Sequence, residues 1–244
     1  MILTLDVGNT RIKSAVFEHN TQLEKFVFLK KDFSENINQI LKKHQKVTHL
    51  IVSSVGNINE NDFSELKNRL KIIFIDNKFQ FPFQNLYATP NTLGADRMVL
   101  AAGAILKYPY KNRLVIDAGT CVTYDYINDK NQYLGGAIAP GLMLRYKSLN
   151  DYTAKLPLLT LENPENIIGN STNQSIHSGV VNGLLNEING FSTTFEAQNP
   201  NFIIILTGGD ADFLAKRLKN TIFANSNFLL ESLNLIYQYS NQND

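Results

Sequence analysis

Apolar residues alternate weakly over residues 2–6, "ILTLD", and the run stops at Asp6. Residues 12–18 and 23–29 are rich in Ile, Val and Phe and predict two more strands. A helical period follows near 34–44. "THLIVSSV" reads as a buried strand, "NDFSELKNRL" as a helix and "KIIFID" as a strand. The segment 77–93 holds two prolines and several aromatics and predicts no regular element. "GADRMVLAAGAILKY" opens a helix. At residue 113 the pattern restarts. "RLVIDAGTCVTYDYIN" predicts strand, Gly-Thr turn and strand, and "QYLGGAIAPG" a third strand. Residues 172–195 predict one long helix. Ile176, Val180, Leu184, Ile188, Phe191 and Phe195 form a single apolar stripe along it, with Gly179 and Gly183 four residues apart beside it. "FIIIL" at 202–206 is a short strand followed by the turn sequence "TGGDADF".

The restart is an internal repeat. "LTLDVGNT" and "LVIDAGTC" both run from apolar residues into Asp, any residue, Gly and a nearby Thr, and the second Asp lies 111 residues after the first. That unit is too long for a solenoid, so the expectation is a duplicated α/β domain divided near residue 110.

Composition narrows the class. Of 244 residues, 43% are hydrophobic and 18% charged, enough for a sizeable core. The net charge of +1 gives no electrostatic reason to expect a nucleic acid. One cysteine excludes an intrachain disulfide. The first residues lack the pattern of a signal peptide, and "FIIIL" is far too short to span a bilayer, so a cytoplasmic protein without a membrane segment is expected. The four histidines form no metal-ligand spacing, and neither a P-loop nor a dinucleotide fingerprint occurs.

The two turns carry the candidate chemistry. Glycine lets backbone amides approach an anion, Thr offers a hydroxyl, and an acid can hold a cation that neutralises phosphate oxygens. At the start of the helix near 95, Asp96 can accept a hydroxyl proton and Arg97 can pair with a carboxylate through its planar fork. The alternatives are two ordinary hairpin turns and a helix-terminal acid favoured by the helix dipole. Cys121 is expected as a small buried strand residue.

"DVGNTRIK", "TLGADR", "DAGTCVTYD", "GGAIAPGLMLRYKSL", "TAKLPL", "IGNSTNQSIHSG" and "LTGGDADFL" occur in an order that resembles the type III pantothenate kinases of the sugar kinase/actin ATPase superfamily. The resemblance covers nearly the whole chain. It implies an α/β, duplicated ribonuclease H-like (actin-like ATPase) fold, with similar halves at 1–110 and 111–244 and an active-site cleft between them. It implies ATP-dependent phosphorylation of pantothenate to 4′-phosphopantothenate, the first step of coenzyme A biosynthesis. By the same resemblance Asp6, Val7, Gly8, Asn9, Thr10, Arg11, Ile12 and Lys13 cradle ATP, with Asp6 near a divalent cation such as Mg2+. Thr120 touches ATP, and Asp117 helps to hold a monovalent cation, K+ or NH4+. Tyr87, Gly94, Ala95, Asp96 and Arg97 meet pantothenate, with Asp96 as general base. Thr172 reaches the pantothenate site of the partner in a homodimer, with the 172–195 helix at the interface. The rival readings are a superfamily kinase for another small hydroxy compound and a non-catalytic regulatory relative.

Overall fold

The structure is a computed structural model that describes residues 1–8, 11–54, 63–76, 78–199, 201–218 and 222–243. The chain starts with β1 (Ile2–Val7), β2 (Arg11–Glu18), β3 (Thr21–Leu29), α1 (Phe33–Lys43), β4 (His49–Ser54) and β5 (Lys71–Ile75). These five strands form a sheet in the order β3-β2-β1-β4-β5, with β2 antiparallel to both of its neighbours and β1, β4 and β5 parallel. A two-residue strand β6 (Gln84–Asn85) and helix α2 (Ala95–Lys107) follow.

The pattern then repeats. β7 (Asn112–Ala118), β8 (Cys121–Ile127) and β9 (Gln132–Pro140) lead into α3 (Leu142–Asp151). Next come α4 (Thr172–His177), α5 (Gly183–Gln198), β10 (Phe202–Thr207), α6 (Ala211–Ala215) and β11 (Ile222–Ala224). The second sheet is ordered β11-β10-β7-β8-β9-β6. Its β9-β8-β7-β10-β11 core has the strand order of the first sheet. Again the first two strands are antiparallel and the last three parallel. The duplication read from two eight-residue strings is therefore a duplication of topology.

The chain divides into two compact units, 1–109 with 131–133 and 227–244, and 110–130 with 134–226. The expected second half ran to 244, but its last helix, α7 (Phe228–Asn243), belongs to the first unit. The reason is apolar. Leu230, Leu233 and Ile236 pack with Ile2, Ala15, Phe17, Ile51, Val99 and Ala102. The opposite face of the first sheet is covered by Ile37, Ile40 and Leu41 of α1 against Leu3, Leu5, Val7 and Val52. β1 is thus buried on both faces, which is why its residues are apolar up to Asp6.

Two other expectations change, and one helix is added. The expected helix over "NDFSELKNRL" is, among the described residues, one 3-10 turn at Leu66–Asn68. Helix α3 follows the third strand of the repeat, and Gly141 breaks the strand before it. The long helix runs from Thr172 to Gln198 with a π-turn at Ser178–Asn182. Its apolar stripe lies in the second unit's own core. Ile176, Val180, Leu184 and Ile188 are buried there, with Phe191 and Phe195 packed against them. The stripe is intrachain packing. Among the described residues no helix is long and apolar enough to cross a membrane.

Helices α2 and α7 meet closely at Gly103. A Cβ there would collide with Ser232 Oγ and come within 2.9 Å of Ser232 Cα. Gly→Ala in a helix normally gains about 1 kcal/mol. Here the backbone of α7 blocks it, so Gly103→Ala should destabilise the protein by about 1–3 kcal/mol through overpacking. Urea unfolding measures this, and a stabilised Gly103→Ala would show that α7 is not seated on α2.

Candidate active site

In the first unit, Asp6 is the next-to-last residue of β1 and is paired in register with Lys13 of β2. The Gly8 amide donates to Arg11 O at 3.2 Å and closes the turn. Asn9 and Thr10, expected in this turn, lie outside the described residues. Val7 and Ile12 are fully buried in the core, so only their backbone is open to a ligand. Arg11 is exposed and Lys13 half-buried. Burial pushes the Asp6 carboxyl up from 3.8 to about 6. The Lys13 ammonium pulls it back, and the nearby Asp96 carboxylate raises it further. Asp6, Lys13 and Asp96 therefore share one electrostatic neighbourhood.

Asp96 sits in the first turn of α2, where the helix dipole favours an acid. Its Oδ1 accepts from the Arg97 amide at 2.8 Å. A Cβ at Gly94 would lie 2.5 Å from that oxygen, so glycine clears the space the carboxylate occupies. Ala95 begins the helix beside it. Arg97 is buried, and its guanidinium carbon lies 5.7 Å from the centre of the Tyr87 ring.

Of the segment expected to be irregular, residues 78–93 hold only the two-residue β6 and one 3-10 turn, but they are ordered by their rings. Phe79, Phe81 and Phe83 occupy alternate positions, with centroids 5.2 and 5.3 Å apart. Phe83 continues to Tyr133 at 6.0 Å, and Tyr133 to Tyr87 at 6.1 Å. The ladder ends at the ring under Arg97. Strand periodicity misses Tyr133. The F-x-F-x-F spacing was the available signal for the rest.

In the second unit, Asp117 occupies on β7 the place Asp6 has on β1, paired with Thr123. Its turn is held by backbone contacts with two neighbouring turns. The Gly119 amide donates to Cys121 O at 2.9 Å, and the Asp210 amide to Ala118 O at 3.0 Å. The Gly141 amide donates to Thr120 O at 3.0 Å. Two glycines allow this approach. Gly208, at φ +99, leaves no room for a Cβ against Ala118 O and the Asp117 carboxylate. Gly141 leaves none against Gly119 O. Sequence reasoning named "TGGDADF" and "APG" without seeing that both close on the Asp117 turn. Thr120 is exposed. Cys121 is exposed as well, contrary to expectation, because it opens β8 at the turn.

Thr172 is the first residue of α4. Ser171, not Thr172, caps that helix by accepting from the Gln174 amide at 3.3 Å. Thr172 lines a groove of about 750 Å3 with Leu149, Leu156, Ser175 and Ile176, all in the second unit. Among the described residues no group of three His, Cys, Asp or Glu could hold a metal alone. A single carboxylate such as Asp6 suits a Mg2+ that takes its other ligands from phosphate and water.

The raised Asp6 pKa has a signed consequence. Below about 4 the folded and unfolded chains both hold this proton, and above about 6 neither does. Between those values the folded chain holds more protons, so stability falls as pH rises across this window. At about 1.4 kcal/mol per unit the step is at most about 3 kcal/mol. Asp6→Asn should remove it, leaving the ligand-free variant more stable than wild type at pH 7 but not at pH 4. Urea unfolding at both pH values measures this. Parallel wild-type and variant profiles would mean that Asp6 is not desolvated.

A family model described as type III pantothenate kinase matches residues 2–194. A type III pantothenate kinase of Flavobacterium psychrophilum is 61% identical over 239 residues, covering 98% of this chain and 99% of that one. Among solved structures, a Campylobacter jejuni protein assigned to the Baf family of transcriptional activators superposes with a TM-score of 0.64. Its identity is 22%, and coverage is 99% of this chain and 100% of that one. A Sinorhizobium meliloti protein assigned as a 2-dehydro-3-deoxygalactonokinase gives 0.60 at 11%, covering 98% and 99%. At these identities the structural likenesses speak to fold alone, the actin-like ATPase/sugar kinase fold. Sequence likeness over the full length decides the family: the chain belongs to the type III pantothenate kinases.

Proposed function

We propose that this protein transfers the γ-phosphoryl group of ATP to the hydroxyl of pantothenate, with Asp96 as the base and Asp6 and Lys13 at the phosphates. The observation that carries the reading is the grouping of Asp6, Lys13 and Asp96 at the start of α2, with Arg97 held on Tyr87 beside them. Membership in the family supplies the substrate.

Asp96 takes the hydroxyl proton as the oxygen attacks the γ-phosphorus, and the bond from that phosphorus to the bridging oxygen breaks to release ADP. Asp6 would hold a divalent cation, which would supply charge to neutralise phosphate oxygens and would favour the ionised carboxylate that burial disfavours. Lys13 holds the phosphates. Arg97 pairs with the pantothenate carboxylate, and Gly94, Ala95 and Tyr87 shape its surroundings. In the second unit, the Asp117 carboxylate is the group offered to a monovalent cation, and the exposed Thr120 hydroxyl the one offered to ATP.

The test is a coupled ADP-release assay with ATP and pantothenate in sodium, potassium and ammonium. Asp96→Asn is nearly isosteric and should lower kcat by about 10²- to 10⁴-fold. A kcat within a few-fold of wild type removes Asp96 as base, and equal rates in the three cations remove the monovalent site. A wild-type protein that releases no ADP hands the reading to the non-catalytic rival.

The reading includes a homodimer in which Thr172 serves the partner's pantothenate site. The 172–195 stripe no longer supports it, since that stripe is core. Its support is apolar surface between α3 and α4, where Tyr152, Ile167 and Ile168 are 88%, 66% and 81% exposed. A Cβ at Gly183 meets nothing within 4 Å inside the chain. Gly183→Phe should therefore fold and lose dimer and activity together. Light scattering at assay concentration checks this, and a fully active wild-type monomer would end the shared-site idea.

A further inference from the structure

Helix α5 reaches the Asp117 turn through four groups. Glu187 of α5 accepts from Tyr124 OH at Oε1, at 2.8 Å, and from Arg145 Nη2 at Oε2, at 2.6 Å. Arg145 of α3 spends its Nε on the carbonyl of Pro140, at 2.8 Å. The next residue, Gly141, donates its amide to Thr120 O at 3.0 Å, and a Cβ on it would collide with Gly119 O and lie 2.7 Å from Thr120 O. Arg145 is also the residue whose amide donates to Gly141 O, at 3.0 Å. One arginine thus holds Pro140 and Gly141 by both its side chain and its backbone.

The anchor for this arrangement is firm. Tyr124 is fully buried and its ring stacks on Phe191 of α5 at 4.3 Å. Burial and the Glu187 carboxylate push its phenol pKa upward, so it remains a donor. The Arg145–Glu187 pair is mostly shielded, with 20% and 26% of the side chains exposed. The pair shares one hydrogen bond and each partner makes a second, Arg145 to Pro140 O and Glu187 to Tyr124 OH, so both side chains are held at two points; a shielded pair of this kind adds little net stability. The thing being fixed is Thr120. Its side chain is exposed, and its carbonyl is held through Gly141.

We infer that Arg145 and Glu187 are positioning residues that set the place of Thr120 by clamping Pro140–Gly141 against the Gly119–Thr120 backbone. They touch no substrate. They act on ATP through the turn, and this part rests on the reading of Thr120 as an ATP contact. Gly141 is the point of transmission. Its φ of −74 and ψ of 177 suit any residue, so alanine is opposed only by the Gly119 and Thr120 carbonyls.

Three variants test this on the full chain: Gly141→Ala, Arg145→Lys and Glu187→Gln. Lysine keeps the charge but cannot serve Pro140 O and Glu187 together as the fork does. The measurements are kcat and the separate KM values for ATP and pantothenate, together with amide hydrogen exchange over residues 117–121. In Gly141→Ala the KM for ATP should rise at least tenfold with the KM for pantothenate within twofold. In Arg145→Lys and Glu187→Gln the KM for ATP should rise about three- to tenfold. Exchange over 117–121 should quicken in all three, with the thermal midpoint moving little in Arg145→Lys and Glu187→Gln and falling in Gly141→Ala, whose Cβ meets backbone. Arg145→Ala should exceed Arg145→Lys, so the conservative variant rescues in part. A lowered thermal midpoint with both KM values and the exchange unchanged would make the network purely structural and overturn the inference. Exchange does not depend on the kinase reading. Faster exchange at 117–121 in a protein that shows no turnover would sustain the clamp and overturn only the function assigned to Thr120.

Discussion

Asp6 is the next-to-last residue of a strand in which Leu3, Leu5 and Val7 are fully buried, and burial makes its charge costly. The strand cannot be moved outward to relieve the acid, because α1 covers one face of the sheet and α2 with α7 covers the other. The protein instead surrounds the carboxyl with a compensating charge. Lys13 stands opposite it in register, fixed by the same antiparallel pairing that makes the hairpin. Asp96 works in the other direction and raises the Asp6 pKa. Lys13 and Asp96 thus pull the Asp6 carboxyl in opposite directions, and burial decides the outcome.

The second unit repeats the strand order and the position of the acid, but it supports its turn differently. At Asp6 the conspicuous supports are side-chain charges. At Asp117 they are backbone contacts, made possible by glycine at 141 and 208. A turn packed against carbonyls has no rotamers to choose and so is held closely. It also tolerates little: any side chain at either glycine would displace the backbone it guards. Duplication thus preserved the topology and the acid, while the means of holding each turn diverged.

Much of this was legible in the sequence. The repeated strand-acid-glycine pattern is local, so the duplication and both acids could be read directly. Asp96 and Arg97 were legible because a helix start is also local. What escaped depended on partners far apart in sequence. The stripe from Ile176 to Phe195 was visible, but periodicity cannot say whether a stripe meets its own sheet or another chain, and here it meets its own. Helix α7 pairs with α2 across more than a hundred residues, so no window held both. The Phe79-to-Tyr87 ladder needed Tyr133, which sits on a strand of the other half of the chain.

The same distinction bears on how Arg97 is held. It is buried, and a buried guanidinium is costly unless its charge is engaged. The Tyr87 ring beneath it offers a diffuse negative face to the cation. That ring is held in turn by the ladder of Tyr133, Phe83, Phe81 and Phe79, which orders a stretch with almost no secondary structure of its own. The aromatic run of an apparently irregular loop therefore fixes the face on which the guanidinium rests.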